Sequence, residues 1–177
     1  MSKTHATQSP AMRRDVIYVD NNATTRVAPE VFEAMVPFLV DFYGNASSMH
    51  TFGGQVRRHI DAARGHVAAL VGADPPEIIF TSCGTESDNA AILSALESRV
   101  KRRKVVTTRV EHPAVLSLCK TLQQKGYHVD YIPVNAKGKL CFDALENMID
   151  DETAIVSVMW ANNETGNIYP VQKLAEI

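Results

Sequence analysis

Thr81-Ser82-Cys83-Gly84-Thr85-Glu86-Ser87-Asp88-Asn89 is the stretch on which the reading of this chain turns. A short apolar run, Ile78-Ile79-Phe80, precedes it, and Ala90-Ala91-Ile92-Leu93-Ser94-Ala95-Leu96 follows. The order predicts a strand over Glu77–Phe80, a tight polar turn, and a helix over Asp88–Leu96. Such a turn gathers free backbone N–H groups at the positive end of a helix, where an anion is stabilised. Gly84 lets the backbone approach that anion, and Ser82, Thr85 and Ser87 add hydroxyl donors. A phosphate cradle and an ordinary helix start capped by Ser82 or Thr85 both satisfy the pattern. No Gly-Lys-Ser/Thr follows the glycine and no G-x-G-x-x-G is present, so neither a Walker loop nor a dinucleotide fingerprint is spelled out.

Outward from the turn, strands and helices alternate. Val16–Val19 reads as a strand, followed by the polar loop Asp20–Thr25. Pro29 suits a first helical turn, and Val31, Met35, Phe38 and Phe42 recur at helical spacing, with Pro37 as a kink. Tyr43–Ser48 reads as a loop. A long helix carries Val56, Ile60, Ala63, Val67 and Leu70 on one face. Beyond the turn come a strand at Lys104–Thr108, a helix at Pro113–Gln124 ended by Gly126, a strand at His128–Pro133, a helix at Phe142–Ile149, a strand at Ala154–Trp160 and a helix from Val171. This order predicts an α/β fold, a mainly parallel sheet with helices on both faces. In such sheets, sites form in the loops at the carboxyl ends of strands. Thr81–Asn89, Glu111-His112-Pro113 and Ala161–Gly166 hold such positions.

The 177 residues suffice for one domain with a core. A net charge of -2 argues against nucleic acid as a partner. The basic run Lys101-Arg102-Arg103-Lys104 reads as a solvated loop. Three cysteines, Cys83, Cys119 and Cys141, without C-x-x-C spacing fit a reducing, cytoplasmic setting. No apolar run reaches membrane-spanning length. Residues 1–15 are polar without a hydrophobic segment and are expected to be a disordered leader.

Five motifs in order then resemble the NifS-type cysteine desulfurases, within the class V aminotransferase-like enzymes of fold type I. They are Tyr18–Thr25, Gly44–His50, Thr81–Asn89, Glu111–Val115 and Asn162–Gly166. The resemblance implies a three-layer, pyridoxal-phosphate-dependent large domain. It assigns residues 16–26 to a segment associated with the small domain and residues 27–177 to the N-terminal part of the large, cofactor-binding domain. It implies that Gly84 and Thr85 contact the phosphate of pyridoxal 5'-phosphate. It implies that His112 stacks on the pyridine ring and helps to move protons, and that Asn163 donates to the phenolic oxygen. Where the family usually has proline this chain has Ala46, which leaves that loop less restricted.

The implied reaction converts L-cysteine to L-alanine. The cofactor acts as electron sink. An enzyme thiolate takes the sulfur as a persulfide and delivers it to an iron–sulfur scaffold protein. The family acts as a homodimer. In it, the lysine that holds the cofactor and the persulfide cysteine lie C-terminal to the stretch matched here, so the resemblance implies a truncated form. Among the lysines present, Lys173 follows the Asn163 loop but is expected at the surface. Cys83 reads as structural or phosphate-adjacent, and Cys119 and Cys141 as packing residues. Another class V enzyme, such as a selenocysteine lyase, and a non-catalytic fragment are the other readings. The polypeptide by itself is expected not to turn over cysteine.

Overall fold

A computed structural model describes residues 16–177. The leader expected over 1–15 lies outside the described residues. The chain divides into two compact units, one ending at Tyr43 and the other running from Gly44 to Ile177.

In the first unit, α1 spans Pro29–Val40. Pro29 opens it at a position where a missing N–H costs nothing. Pro37 lies inside the helix, which ends three residues later, and no residue of α1 is buried. The loop before it is held by the Tyr18 hydroxyl and Thr24 Oγ1, 2.6 Å apart. The strand expected at Val16–Val19 is absent. These residues are exposed, extended chain. Their β-forming composition finds no ladder partner among the described residues, and a strand exists only through its partner.

The second unit is built on three parallel strands, β1 (Lys104–Thr108), β2 (His128–Ile132) and β3 (Thr153–Ser157), in the order β2-β1-β3. Lys104 pairs with His128 on one side and Thr153 on the other. Helix α4 (Pro113–Gln124) links β1 to β2, and α5 (Phe142–Met148) lies on the way from β2 to β3. The two crossovers run in opposite directions along the sheet. With right-handed connections they must therefore use opposite faces. The core shows this at β1, where adjacent residues point to opposite sides. Val105 packs with Ile92 and Leu96 of α3 (Gly84–Ser98) and with Val115, Cys119 and Leu122 of α4. Val106 packs with Ile132 and Leu145, joined by Leu174 of α6 (Val171–Ala175). Helices therefore cover both faces, as the alternating pattern predicts.

Two expected features fail. Ile78–Phe80 is not a strand. It follows a 3-10 turn at Pro75–Glu77 and pairs with nothing regular. Arg64 instead tethers it, donating to the Ile78 carbonyl and lying 4.8 Å above the Phe80 ring. The face expected on α2 (Thr51–Val71) is only partly used. Val56 and Ala68 are buried, whereas Leu70 is 85% exposed. The helix pattern was right, and the packing it advertises is not made among the described residues.

Lys101, Arg102 and Arg103 of the basic run lie exposed in a loop, as expected, but Lys104 does not. Lys104 is buried and its ammonium sits 2.9 Å from Asp130 and 3.0 Å from Asp150, tying the starts of the three strands. Arg99 and Arg102 donate to the carbonyls of Ala154 and Thr153, and Arg103 lies over Tyr127. These cations are spent on the fold. Gly126 ends α4 as expected, at φ 81°, and Tyr127 N–H closes onto the Leu122 carbonyl.

Leu145 is 1% exposed in the smaller of the two clusters. Leu145→Ala is expected to cost about 2–5 kcal/mol, read as a shift of the urea midpoint. The Lys104 cluster has a pH signature. Burial alone would push Lys104 down, but Asp130 and Asp150 outweigh it and raise its pKa. Lys104, hydrogen-bonded to Asp150, holds that carboxyl below its ordinary 3.8. The cluster's contribution is therefore complete at neutral pH. It is lost as pH falls through the lowered Asp150 value or rises through the raised Lys104 value. The difference in melting temperature between wild type and Lys104→Met should be largest near neutrality and shrink below pH 3.8.

Candidate functional site

The N-terminus of α3 is the first wall of the site. The helix begins at Gly84, earlier than expected, so most of the polar turn is helical. Its N-cap is Cys83, not Ser82 or Thr85, and no side chain caps it. The hydroxyl and N–H of Ser82 both donate to Glu86 Oε2, at 2.6 and 2.7 Å. The Ser87 hydroxyl is shared with Thr81 Oγ1 at 2.6 Å and the Cys83 carbonyl at 3.3 Å. Of the three hydroxyls that the sequence offered an anion, two are engaged within the turn. Thr85 is the one that lines a cavity. A Cβ built on Gly84 would meet nothing within 4 Å, so the space beside this backbone is open.

The cavity, about 460 Å³, lies between α3 and α4 and is lined by Thr85, Asn89, His112, Ser117 and Thr121 among others. Asn89 Oδ1 is buried and has no hydrogen-bond partner, so it can accept from a ligand group. His112 is the N-cap of α4, and its Nδ1 accepts from Ala114 N–H at 3.1 Å. An accepting Nδ1 leaves the proton of a neutral ring on Nε2. The histidine's own residue type does not mark it as a helix cap. The following Pro113 at the first helical position was the available signal.

The loop Ala161–Gly166 lies beside the His112 loop. Its Asn163 is half-buried and donates to Glu164 Oε1 at 3.0 Å. It does not line the cavity that holds Thr85 and His112. The structure thus brings Gly84, Thr85 and His112 to one place, with Asn163 on an adjoining loop. That loop is joined to the His112 loop by two residues that the sequence reading passed over, Glu111 and Asn162. Asn162 is buried and donates from Nδ2 to the Val110 carbonyl at 2.9 Å. Glu111 is buried and accepts from Thr108 Oγ1 at 3.0 Å and from Met159 N–H at 2.8 Å. Burial pushes its carboxyl up, and those two donors only partly offset this. An Asn-Asn pair and a Glu-His pair at strand ends were visible in the sequence, but which member is buried was not.

The Gly44–His50 motif builds a helix cap. His50 Nδ1 accepts from Gly53 N–H at 3.1 Å, and Asn45 Oδ1 accepts from Ser47 N–H at 2.9 Å. A Cβ on Gly53 would come within 2.6 Å of the Asn45 carbonyl oxygen, so only glycine fits there.

The three cysteines separate sharply. Hydrogen bonds from Glu86 N–H and the Ser82 hydroxyl lower the pKa of the exposed Cys83 thiol. Burial pushes Cys119 up to about 11. Cys141, expected to pack, is exposed at the N-cap of α5. It lies at the end of a bridged loop, and the apolar side of that helix starts one residue later. Nothing in the local pattern marked that boundary. Lys173, at the surface as expected, lies 4.5 Å above the Phe142 ring. With iodoacetamide, Cys83 should react with a midpoint below 9.0, while Cys119 stays unmodified until the chain unfolds. Peptide mass spectrometry across a pH series reads both.

Among the described residues no helix is long and apolar enough to cross a membrane, and no cluster of metal-ligating side chains occurs. Residues 17–177 match the family described as aminotransferase class V. A cysteine desulfurase of Trichormus azollae is 56% identical over 161 residues, which is 91% of this chain and 40% of the relative. A solved NifS-like protein superposes with a TM-score of 0.85 at 44% identity, over 89% of this chain and 43% of that one. A second solved structure, SspA in complex with cysteine, gives a TM-score of 0.84 at 32% identity, over 90% and 46%. The chain spans about 40% of the length of the curated relatives it matches. On the strength of the family match over nearly all described residues, this chain belongs to the class V aminotransferase family.

Proposed function

We propose that this chain carries one wall of a pyridoxal 5'-phosphate site and that the activity it serves is cysteine desulfuration. The observation that carries the reading is the shared cavity of Thr85 and His112 at the N-terminus of α3. The donor chemistry suits a phosphorylated planar ring. The N–H groups of Gly84 and Thr85 at the start of α3, with the Thr85 hydroxyl, suit a phosphate. Asn89 Oδ1 suits a donor of the same ligand. When bound, the cofactor supplies an electron sink for a carbanion next to the substrate nitrogen.

The chain's own residues then have separable tasks. Gly84 and Thr85 hold the phosphate. His112, fixed through Nδ1 by Ala114 N–H, presents its ring face and keeps a proton at Nε2. Asn163 donates from an amide to the phenolic oxygen, which stabilises an oxyanion without adding charge. Glu86, exposed, accepts from both the N–H and the hydroxyl of Ser82, so those two donors are already engaged within the turn. The substrate is L-cysteine and the product L-alanine. The sulfur atom passes to a thiolate of the enzyme as a persulfide and then to an iron–sulfur scaffold. The working enzyme is a homodimer in a cytoplasmic setting. Two likenesses support this substrate: the relative named a cysteine desulfurase, and the neighbour solved with cysteine.

The test is cofactor binding by the chain itself. Equilibrium dialysis with pyridoxal 5'-phosphate, followed also through the single Trp160, should show one saturable site from which inorganic phosphate competes. Thr85→Ala and His112→Ala should each weaken binding about tenfold, which corresponds to about 1.4 kcal/mol. Absence of saturable binding, or wild-type affinity in both variants, would overturn the reading.

A further inference from the structure

We propose that Asn162 and Glu111 act together as a clamp that sets the spacing between His112 and Asn163. Neither lines the cavity of Thr85 and His112, so both are positioning residues. The inference rests on the reading of those residues as one cofactor site.

The clamp has two cross-links, and each joins the end of β1 to the segment after β3. In the first, Asn162 uses both ends of its amide. Oδ1 accepts from Glu164 N–H at 3.0 Å, Thr165 N–H at 2.8 Å and Thr165 Oγ1 at 3.1 Å, which shapes the turn containing Asn163. Nδ2 donates at 2.9 Å to the carbonyl of Val110, two residues before His112. In the second, Glu111 Oε1 accepts from Met159 N–H at 2.8 Å while also accepting from Thr108 Oγ1 at 3.0 Å. Thr108 Oγ1 in turn accepts from Val110 N–H at 3.3 Å.

The two loops leave neighbouring parallel strands; Arg109 N–H still reaches the Ile132 carbonyl of β2 at 3.4 Å, but among the described residues no backbone hydrogen bond joins the two loops to each other beyond Thr108 and Ser157. Past those residues the side chains of Asn162 and Glu111 replace the ladder. Both are buried, at 7% exposure each, so leaving either bond unmade strands a polar group away from water. A turn such as Asn162–Gly166 would exist without Nδ2, because Oδ1 alone closes it. Nδ2, which also lies 3.4 Å from Met159 Sδ, adds through Val110 the relation of this turn to His112. That relation has no use in an isolated turn, and it is needed where His112 and Asn163 address one ligand.

Asn162→Asp separates the two jobs. It keeps the accepting oxygen that builds the turn and removes the donor to Val110. Binding of pyridoxal 5'-phosphate is measured by dialysis on the full chain, beside the thermal melt without ligand. Asn162→Asp is expected to bind at least tenfold more weakly. Glu111→Ala is expected to lose affinity similarly, and Glu111→Gln, which keeps an accepting oxygen, to recover to within threefold of wild type. Hydrogen exchange without ligand should rise over residues 110–116 and 160–166 in Asn162→Asp and stay unchanged in α5. Wild-type binding with Asn162→Asp within twofold of it would overturn the clamp and leave the cofactor site standing. No binding by the wild-type chain would overturn the site, and the clamp's role would fall with it. Should Asn162→Asp not melt cooperatively, Thr108→Val decides. It cuts the Thr108 bonds to Glu111 and Val110, and at least threefold weaker binding is expected, wild-type affinity overturning the clamp.

Discussion

Strand β1 carries the structure because, among the described residues, it is the strand with a partner on each side and helices on each face. All five of its residues are buried, and its two flanking ladders and two crossovers fix the three layers together. Such a strand leaves its polar ends with nowhere to go. At one end Lys104 takes two aspartates, and at the other Thr107 and Thr108 reach the Ser157 carbonyl and Glu111. The candidate site residue His112 sits beyond the second end. The strand's buried length thus places His112, and its terminal threonine begins the network that reaches Asn162.

The parts of the fold legible beforehand were those whose signal is local. Helix α4 has its proline at the start, its glycine after the end and its periodic apolar face, and its bounds were read as they stand. Strand β1 could be read from its valines and from its place between two helices. Ile78–Phe80 and Val16–Val19 have the same composition and are not strands, because pairing is a property of two segments and composition belongs to one. Lys104, in the basic run, departs from its expected place for a related reason. Charge density suggested solvent, whereas Lys104 is neutralised by aspartates 26 and 46 residues away in sequence, which no window on the run contains.

At the site, the motif residues marked where the loops meet. His112 and Thr85 come together in one cavity. What remained hidden is the order of importance within each pair. Glu111 and His112 are neighbours, as are Asn162 and Asn163. In each pair the first residue is buried and holds the loops, and the second is more open. A polar residue that faces inward at a strand end looks, in sequence, like any loop residue. Its burial follows from the twist and register of a sheet that the sequence does not display.

The strand order also carries a consequence for how the fold assembles. Thr107 of β1 reaches Ser157 of β3 across 50 residues, roughly twice the separation of its partner in β2. Doubling a loop adds only about 0.6 kcal/mol of closure entropy, so the longer connection hardly weakens the finished sheet. It matters in time. In a chain emerging from its N-terminus, β1 and β2 can pair around α4 well before β3 exists, leaving the most deeply buried strand of the finished sheet open along one edge. During that interval, capture of β3 competes with capture of any other extended segment nearby.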